Sequence, residues 1–367
     1  RDFDRVMKWG FGWEEGPFAM IDMIGADKLG IKSQRFFQAT PEGDEKVLGF
    51  DGAYVSPAQE PQFRPLAAYP LLQPFNTFNV RDLGDGITGI GLTTKMGVIS
   101  PAAVDELTSF LSAGKIKRLV FSSEAKVFSA GFDIKFFIEK IHSNDFDQIE
   151  EAIQKFQALG RILQKIPSVA AVWGYCLGGG LEMAMSCSMI AASPETQIGL
   201  PESKVGLIPG GGGNVMMRQR AQLGGPKALA EMVSYLAQGL VSNNADEARG
   251  PGYLRVTDAT VYHPDRLISE ARRLVMDVGV SPVLGWTPSL GPVLGMAKSG
   301  LDVLSKGGEL TQHDVLIGDR IAQVFAKAKS VEEAYDIERT MFVELCREGL
   351  SLARMKHMLE TGRPLRN

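Results

Sequence analysis

Two short apolar runs constrain this chain more than anything else in it: RLVFSS at 118–123 and SVAAVWG at 168–174. Each is brief and centred on apolar residues, so each reads as a strand buried inside a sheet. Between them lies a long helical stretch near 147–165, which Pro167 ends because proline lacks an amide hydrogen and clashes with the preceding turn. Upstream, FNVRDLGDGITGIGLTT (78–94) reads as two strands joined by a Gly-Asp-Gly turn. Ser100 and Pro101 open an amphipathic helix that runs to Leu111, serine suiting the N-cap and proline the first helical position. Residues 178–192 begin with three glycines, continue as helix and pass into MIAAS; 214–238 read as two helices and 266–275 as another. Strands alternating with helices in this way predict an α/β fold with right-handed crossovers.

The flanks of this core, taken as 75–280, differ from it. Residues 1–35 hold a short helical stretch and the segment GFGWEEGPFAMIDMIG (10–25). Residues 36–74 contain Pro41, Pro57, Pro61, Pro65, Pro70 and Pro74 with few periodic apolar positions, and read as a linker in extended form. Residues 281–367 read as a helical region that could pack on the core, cover a site or join subunits.

Several function classes fall away. A formal net charge of -4 without any Lys/Arg-rich run weighs against nucleic-acid binding. Cys176, Cys187 and Cys346 have neither the number nor the spacing of a disulfide framework or a zinc site, which fits a reducing cytoplasm. His142, His263, His313 and His357 are scattered, so no metal site is expected. No apolar run approaches the roughly 18 residues of a membrane span, and no secretory pattern is evident. A cytoplasmic protein without a membrane partner is the expectation.

The chemistry concentrates in three segments: FSAGFDIK (128–135), GYCLGGGLEMAM (174–185) and LPESKVGLIPGGGGN (200–214). Neither GxGxxG nor GxxxxGK[ST] is present, so a nucleotide phosphate loop is not supported; no GxSxG elbow marks a hydrolase serine. Gly179 stands at the start of a predicted helix, where free N–H groups and the helix dipole favour negative charge. Glu182 follows three residues later and shares that face. Taken singly, a glycine run is more often a tight turn and a glutamate a solvated surface group.

In order and spacing, however, the three segments resemble the crotonase, or enoyl-CoA hydratase/isomerase, superfamily over roughly 75–280. The resemblance implies a spiral of ββα turns that builds two nearly perpendicular sheets wrapped by helices. It implies that the N–H groups of Gly179 and Phe132 hold a thioester oxygen, amides being preorganised donors that need no titratable proton. It implies Glu182 and Glu202 as paired catalytic carboxylates, in which repulsion and desolvation keep one protonated near neutral pH; their roles are assigned jointly. Ala130 and Lys135 correspond to coenzyme-facing positions, and Phe136, Phe137, Met183 and Leu200 are candidates for the acyl pocket. The reaction implied is reversible addition of water to a trans-2-enoyl-CoA, giving a 3-hydroxyacyl-CoA in fatty acid β-oxidation. Coenzyme A arrives with the substrate, and neither a metal nor a redox cofactor is needed. Two carboxylates favour a hydratase over an isomerase, which commonly works with one. The alternatives are double-bond isomerisation, another crotonase activity, or a non-catalytic acyl-CoA-binding scaffold.

Three positions depart from the family pattern: Phe132 replaces a small residue, Trp173 a small polar one and Asn214 a threonine. They bear on substrate choice more than on reaction class. The segment 10–25 resembles the last part of a 3-hydroxyacyl-CoA dehydrogenase, and REGLSLARMKHMLETGRPLRN (347–367) the end of dehydrogenase–hydratase fusions. Both imply the C-terminal portion of a bifunctional protein, with 1–35 a dehydrogenase remnant. The nucleotide-binding half is absent from these residues, so no NAD binding is expected. The resemblance further implies a homo-oligomer, trimer or hexamer, or pairing with a dehydrogenase domain.

Overall fold

The computed structural model describes residues 2–39, 45–56, 64–114, 116–281, 285–287 and 292–367, which fall into two compact units, Arg1–Gln62 and Phe63–Asn367. In the smaller unit, helices α1 (Asp2–Arg5) and α2 (Pro17–Ile24) are joined by one carboxylate. Asp4 accepts from the N–H groups of Phe18 and Ala19 at 2.8 and 3.0 Å, satisfying first-turn donors at the positive end of α2. Asp22 accepts from the N–H groups of Phe36 and Phe37, both at 2.7 Å. Strand β1 (Phe37–Ala39) pairs antiparallel with β2 (Glu45–Leu48), and β2 with β3 (Tyr54–Val55).

This corrects the reading of 36–74 as an extended linker. Its first half holds that three-stranded meander, and its end supplies the first strand of the main sheet. Pro41, Pro57 and Pro61 lie outside the described residues. Pro65 and Pro70 flank a short turn, and Pro74 closes an edge strand, where a missing N–H costs no ladder bond. There the prolines punctuate short elements instead of stretching the chain.

The larger unit is built of ββα turns. Its seven-stranded sheet comprises β4 (Leu71–Pro74), β5 (Phe78–Asp82), β6 (Ile87–Leu92), β7 (Arg118–Ser123), β8 (Ser168–Val172), β10 (Met189–Ala192) and β13 (Ala259–Thr260), in the spatial order β13-β10-β8-β7-β6-β5-β4. From β6 to β13 all pairings are parallel, while β4, β5 and β6 are antiparallel neighbours. A second sheet holds β9 (Tyr175–Leu177), β11 (Gln197–Gly199) and β12 (Val241–Ser242). Helices follow the strands: α3 (Pro101–Ser112), α4 (Ile134–His142), α5 (Phe146–Leu163), α6 (Gly179–Ser186), α7 (Gly213–Ala221), α8 (Gly225–Ala237) and α9 (Leu267–Asp277). As the sequence predicts, the Ser100 hydroxyl caps α3 by accepting from Ala103 N–H, with Pro101 at its first position.

Period-two alternation explains why the central strands are apolar throughout. In β8, Val169 and Ala171 face one core, with Leu267, Ile268, Ala271 and Val275 of α9 above them; Ala170 and Val172 face the other, which α3 and α5 cover. Each spiral turn sends its first strand to the main sheet and its next extended segment to the second layer. β8 leads to β9 and α6; β10 leads to β11 and, after a turn, α7. β7 leads to Ser129, which bridges Cys176 of β9, and then α4.

The C-terminal region is helical: α10 (Pro292–Lys306), α11 (Gln312–Lys327), α12 (Val331–Cys346) and α13 (Gly349–Thr361). It packs on the core of its own unit. α10 and α11 lie on α8, α12 on α5, and α13 on α4 and on the short turn Glu202–Val205. Among the described residues no helix is long and apolar enough to cross a membrane.

Candidate active site

Successive parallel turns end their second-layer segments side by side, and this brings the three sequence motifs together. Leu177 N–H donates to Ser129 carbonyl oxygen at 3.0 Å and Gly178 N–H to Gly199 carbonyl oxygen at 2.9 Å. Phe132, Gly179 and Glu202 therefore emerge from three adjacent segments at one end of the layer. A Cβ built on Gly179 would stand 3.2 Å from the Phe132 nitrogen, so these two amides approach one another. Among the described residues neither N–H donates a hydrogen bond. Gly179 opens α6, whose first-turn amides have no acceptor within the helix. Gly131 and Gly178 make the approach possible. Their φ values of 106° and 51° lie where side chains are strained, and a Cβ on Gly178 would fall 2.7 Å from Glu202 Oε1.

Glu182 is 3 % exposed. Its Oε1 accepts from the N–H groups of Gly211 and Gly213, each at 2.7 Å. Burial pushes its pKa up to about 7 against the opposing effect of those two donors. Glu202 has a different environment. Its Oε2 is buried without a hydrogen-bond partner among the described residues. Burial first, and the neighbouring Glu182 charge second, hold its carboxyl well above the usual range. Two neighbouring carboxyls, one buried and one half-buried, that resist joint ionisation are suited to exchanging a proton with a bound reactant.

A third carboxylate completes the cluster, and the sequence reading missed it. Glu338, on α12, is 0 % exposed. It accepts from Gly212 N–H at 2.7 Å, Asn214 N–H at 2.9 Å and the Gln157 amide at 3.2 Å. Burial and then Glu182 push its pKa up to about 8, opposed by these donors. A signal was available: Glu338 interrupts a helical apolar stripe formed by Ala334, Tyr335, Met341, Phe342 and Leu345. A charge on such a stripe is a buried charge that needs partners.

Phe132 is half-buried, and its ring joins an aromatic cluster. It stacks on Phe137 and meets Phe156 edge-on, both at 5.2 Å between centroids, while Phe137 lies 5.2 Å from Phe342. Phe156 presses on Gly211 and Phe342 on Gly210. Phe137, Met183 and Leu200 are buried in this core, whereas Phe136 lines a cleft with Pro101, Val104 and Lys155. Ala130 is exposed, its N–H donating to Met96 carbonyl oxygen at 2.9 Å. Lys135 is exposed in the first turn of α4, which Asp133 caps. No group of His, Cys, Asp or Glu among the described residues is arranged to hold a metal ion.

The C-terminal helix grips the turn that carries Glu202. The buried Arg354 guanidinium donates to Ser203 carbonyl oxygen at 2.8 Å and to the Asp314 carboxylate at 2.5 Å. The Ser351 hydroxyl donates to Gly206 carbonyl oxygen at 2.6 Å, and His313 Nε2 lies 2.9 Å from the same hydroxyl. Because that hydroxyl's proton is spent on the carbonyl, Nε2 carries the hydrogen it shares with Ser351. Burial lowers the pKa of His313 to about 4, so the ring is neutral at pH 7.

Comparison with known proteins places this geometry in context. Residues 86–275 match the family model described as enoyl-CoA hydratase/isomerase. A probable 3-hydroxyacyl-CoA dehydrogenase of Bacillus subtilis (strain 168) is 30% identical to this chain, over 99% of the chain and 51% of the relative. A glyoxysomal fatty acid beta-oxidation multifunctional protein of Brassica napus is 36% identical over 46% of this chain and 22% of its own length. The chain thus spans about half the first relative and a smaller share of the second. A crystal structure of a carnitinyl-CoA dehydratase from Mycobacterium thermoresistibile superposes with a TM-score of 0.59 at 17% identity, covering 78% of this chain and 90% of that one. At that identity the likeness speaks for the fold.

Proposed function

Because the chain belongs to the enoyl-CoA hydratase/isomerase family, we propose that it catalyses the reversible addition of water to a trans-2-enoyl-CoA, giving a 3-hydroxyacyl-CoA. The observation that carries this reading is the pairing of two mutually repelling carboxyls, the buried Glu182 and the half-buried Glu202, with two amides, Phe132 and Gly179, that are unpaired among the described residues. The amides receive the thioester oxygen and stabilise the enolate charge that develops as water adds, an effect whose loss costs about 10²–10³ in rate per donor. One carboxylate takes a proton from the attacking water, and the other carboxyl delivers one to the neighbouring carbon. With Oε1 of Glu182 committed to Gly211 and Gly213, its charged form is the better supported. Oε2 of Glu202 has no partner among the described residues, and burial and Glu182 hold this carboxyl well above the usual range, so it is the better proton source.

The names of the relatives support a setting in fatty acid β-oxidation beside a 3-hydroxyacyl-CoA dehydrogenase. On this reading Ala130 and Lys135 face the coenzyme, the chain itself takes no NAD, and it works in a cytoplasmic assembly, either a trimer or hexamer or a pair with the dehydrogenase domain. The test is hydration of crotonyl-CoA, followed as loss of the conjugated-enoyl absorbance, with Glu202→Gln alongside. General acid–base catalysis contributes about 10²–10⁴-fold, so the variant is expected to lose about that much. An unaffected Glu202→Gln variant that shifts a 3-enoyl double bond would favour isomerisation, and tight acyl-CoA binding without turnover would favour a scaffold.

A further inference from the structure

We propose that Glu338, contributed by α12 of the C-terminal region, is a positioning residue for Glu182: it fixes the register of the four-glycine loop so that the correct amides reach the catalytic carboxylate. The inference rests on the hydratase reading of this site. Four successive N–H groups leave the loop to alternate partners. Those of Gly211 and Gly213 go to Glu182, and those of Gly212 and Asn214 go to Glu338. A slip of one residue would exchange the two sets. By taking Gly212 and Asn214, Glu338 holds Gly211 and Gly213 on the other side, where both converge on Oε1 of Glu182 and leave Oε2 without a loop donor.

Glu338 is itself held. The Gln157 amide cannot turn over, because its Nε2 also donates to Tyr335 carbonyl oxygen at 3.1 Å and its Oε1 accepts from Arg339 at 3.2 Å. Gln157 therefore presents only a donor to Glu338. All three neighbours of this carboxylate are donors, which offset part of the burial that holds its pKa at about 8. Once it ionises, at about pH 8, its charge helps keep the proton on Glu202. The other titratable groups facing this cluster are Tyr335, beside Gly212, and Tyr253, whose hydroxyl lies 3.3 Å from Leu200 N–H near Glu202. Arg339 reaches it only through Gln157.

The experiment compares wild type, Glu338→Gln and Glu338→Asp by kcat and KM for crotonyl-CoA hydration across pH, and by ¹³C-NMR titration of labelled glutamate carboxyls. Glu338→Gln sets an NH₂ group against a loop amide and removes the charge. We expect kcat to fall by about 10²-fold, as for a small misplacement of a reacting group, with KM changed far less. The alkaline limb of the kcat profile, where Glu202 gives up its proton, should move to lower pH, as should the titration of that carboxyl. Glu338→Asp keeps the charge, so kcat should fall while the profile stays in place; it also serves if the glutamine variant does not fold. Unchanged kcat, profile and titration in a folded Glu338→Gln protein would overturn the proposal, as would a Glu338→Asp protein with wild-type kcat. A wild type that does not hydrate crotonyl-CoA, yet whose Glu202 titration moves in Glu338→Gln, would sink the hydratase reading and leave the link between Glu338 and the carboxylate pair standing.

Discussion

Replacing Glu182 by glutamine should change how the stability of this protein depends on pH. In the folded chain burial holds the Glu182 carboxyl at about 7, against an ordinary value of 4.5. Between those values the folded state keeps a proton that the unfolded chain has lost. The group's contribution is therefore fully present below pH 4.5 and disappears as pH rises through 7. A gap of roughly 2.5 pH units at about 1.4 kcal/mol each makes about 3–4 kcal/mol, of which most lies between pH 5 and pH 8. Glutamine cannot ionise, so in Glu182→Gln this part of the slope vanishes; the loss of an acceptor for Gly211 or Gly213 adds a cost that does not vary with pH. Urea unfolding at pH 5 and pH 8, followed by circular dichroism, reads the difference. The wild type should lose about 2–3 kcal/mol more than the variant over that interval. Parallel curves would show that Glu182 ionises in the ordinary range, and the argument for a mutually repelling pair would fail with it.

Three further outcomes follow from the geometry. Gly178→Ala adds a Cβ 2.7 Å from Glu202 Oε1 at a φ of 51°; it should cost about 1–3 kcal/mol in strain and abolish crotonyl-CoA turnover by displacing that carboxyl. Arg354→Met leaves Asp314 without its partner and releases the Ser203 carbonyl; unfolding stability should drop by about 3–5 kcal/mol, measurable by thermal denaturation, and kcat should fall because the Glu202 turn loosens. On the proposed reading NADH should not bind, so a fluorescence titration that saturates in the micromolar range would refute that part of it.

Most of the architecture was legible because local chemistry announces it. The Ser100–Pro101 start of α3, the Gly-Asp-Gly turn between β5 and β6 and the apolar strands β7 and β8 lie where spacing and composition put them. The extended-linker reading of 36–74 failed because a count of prolines does not show where strands lie among them. Glu338 was missed for a different reason: it lies 156 positions from Glu182 along the chain, and nothing near it in sequence resembles a motif.

What the sequence determined by itself is the alternation of the main strands and helices from Phe78 to Val172 and the identity of the residues at three motif positions. Those follow from short-range preferences that each segment carries wherever it is placed. Only the tertiary structure decided that, among the described residues, the amides of Phe132 and Gly179 are left unpaired and Glu202 Oε2 has no partner, and that a helix from the far end of the chain supplies a third carboxylate to the glycine loop. Those properties depend on which distant groups exclude water from a site and which donors reach it, and no local segment encodes either.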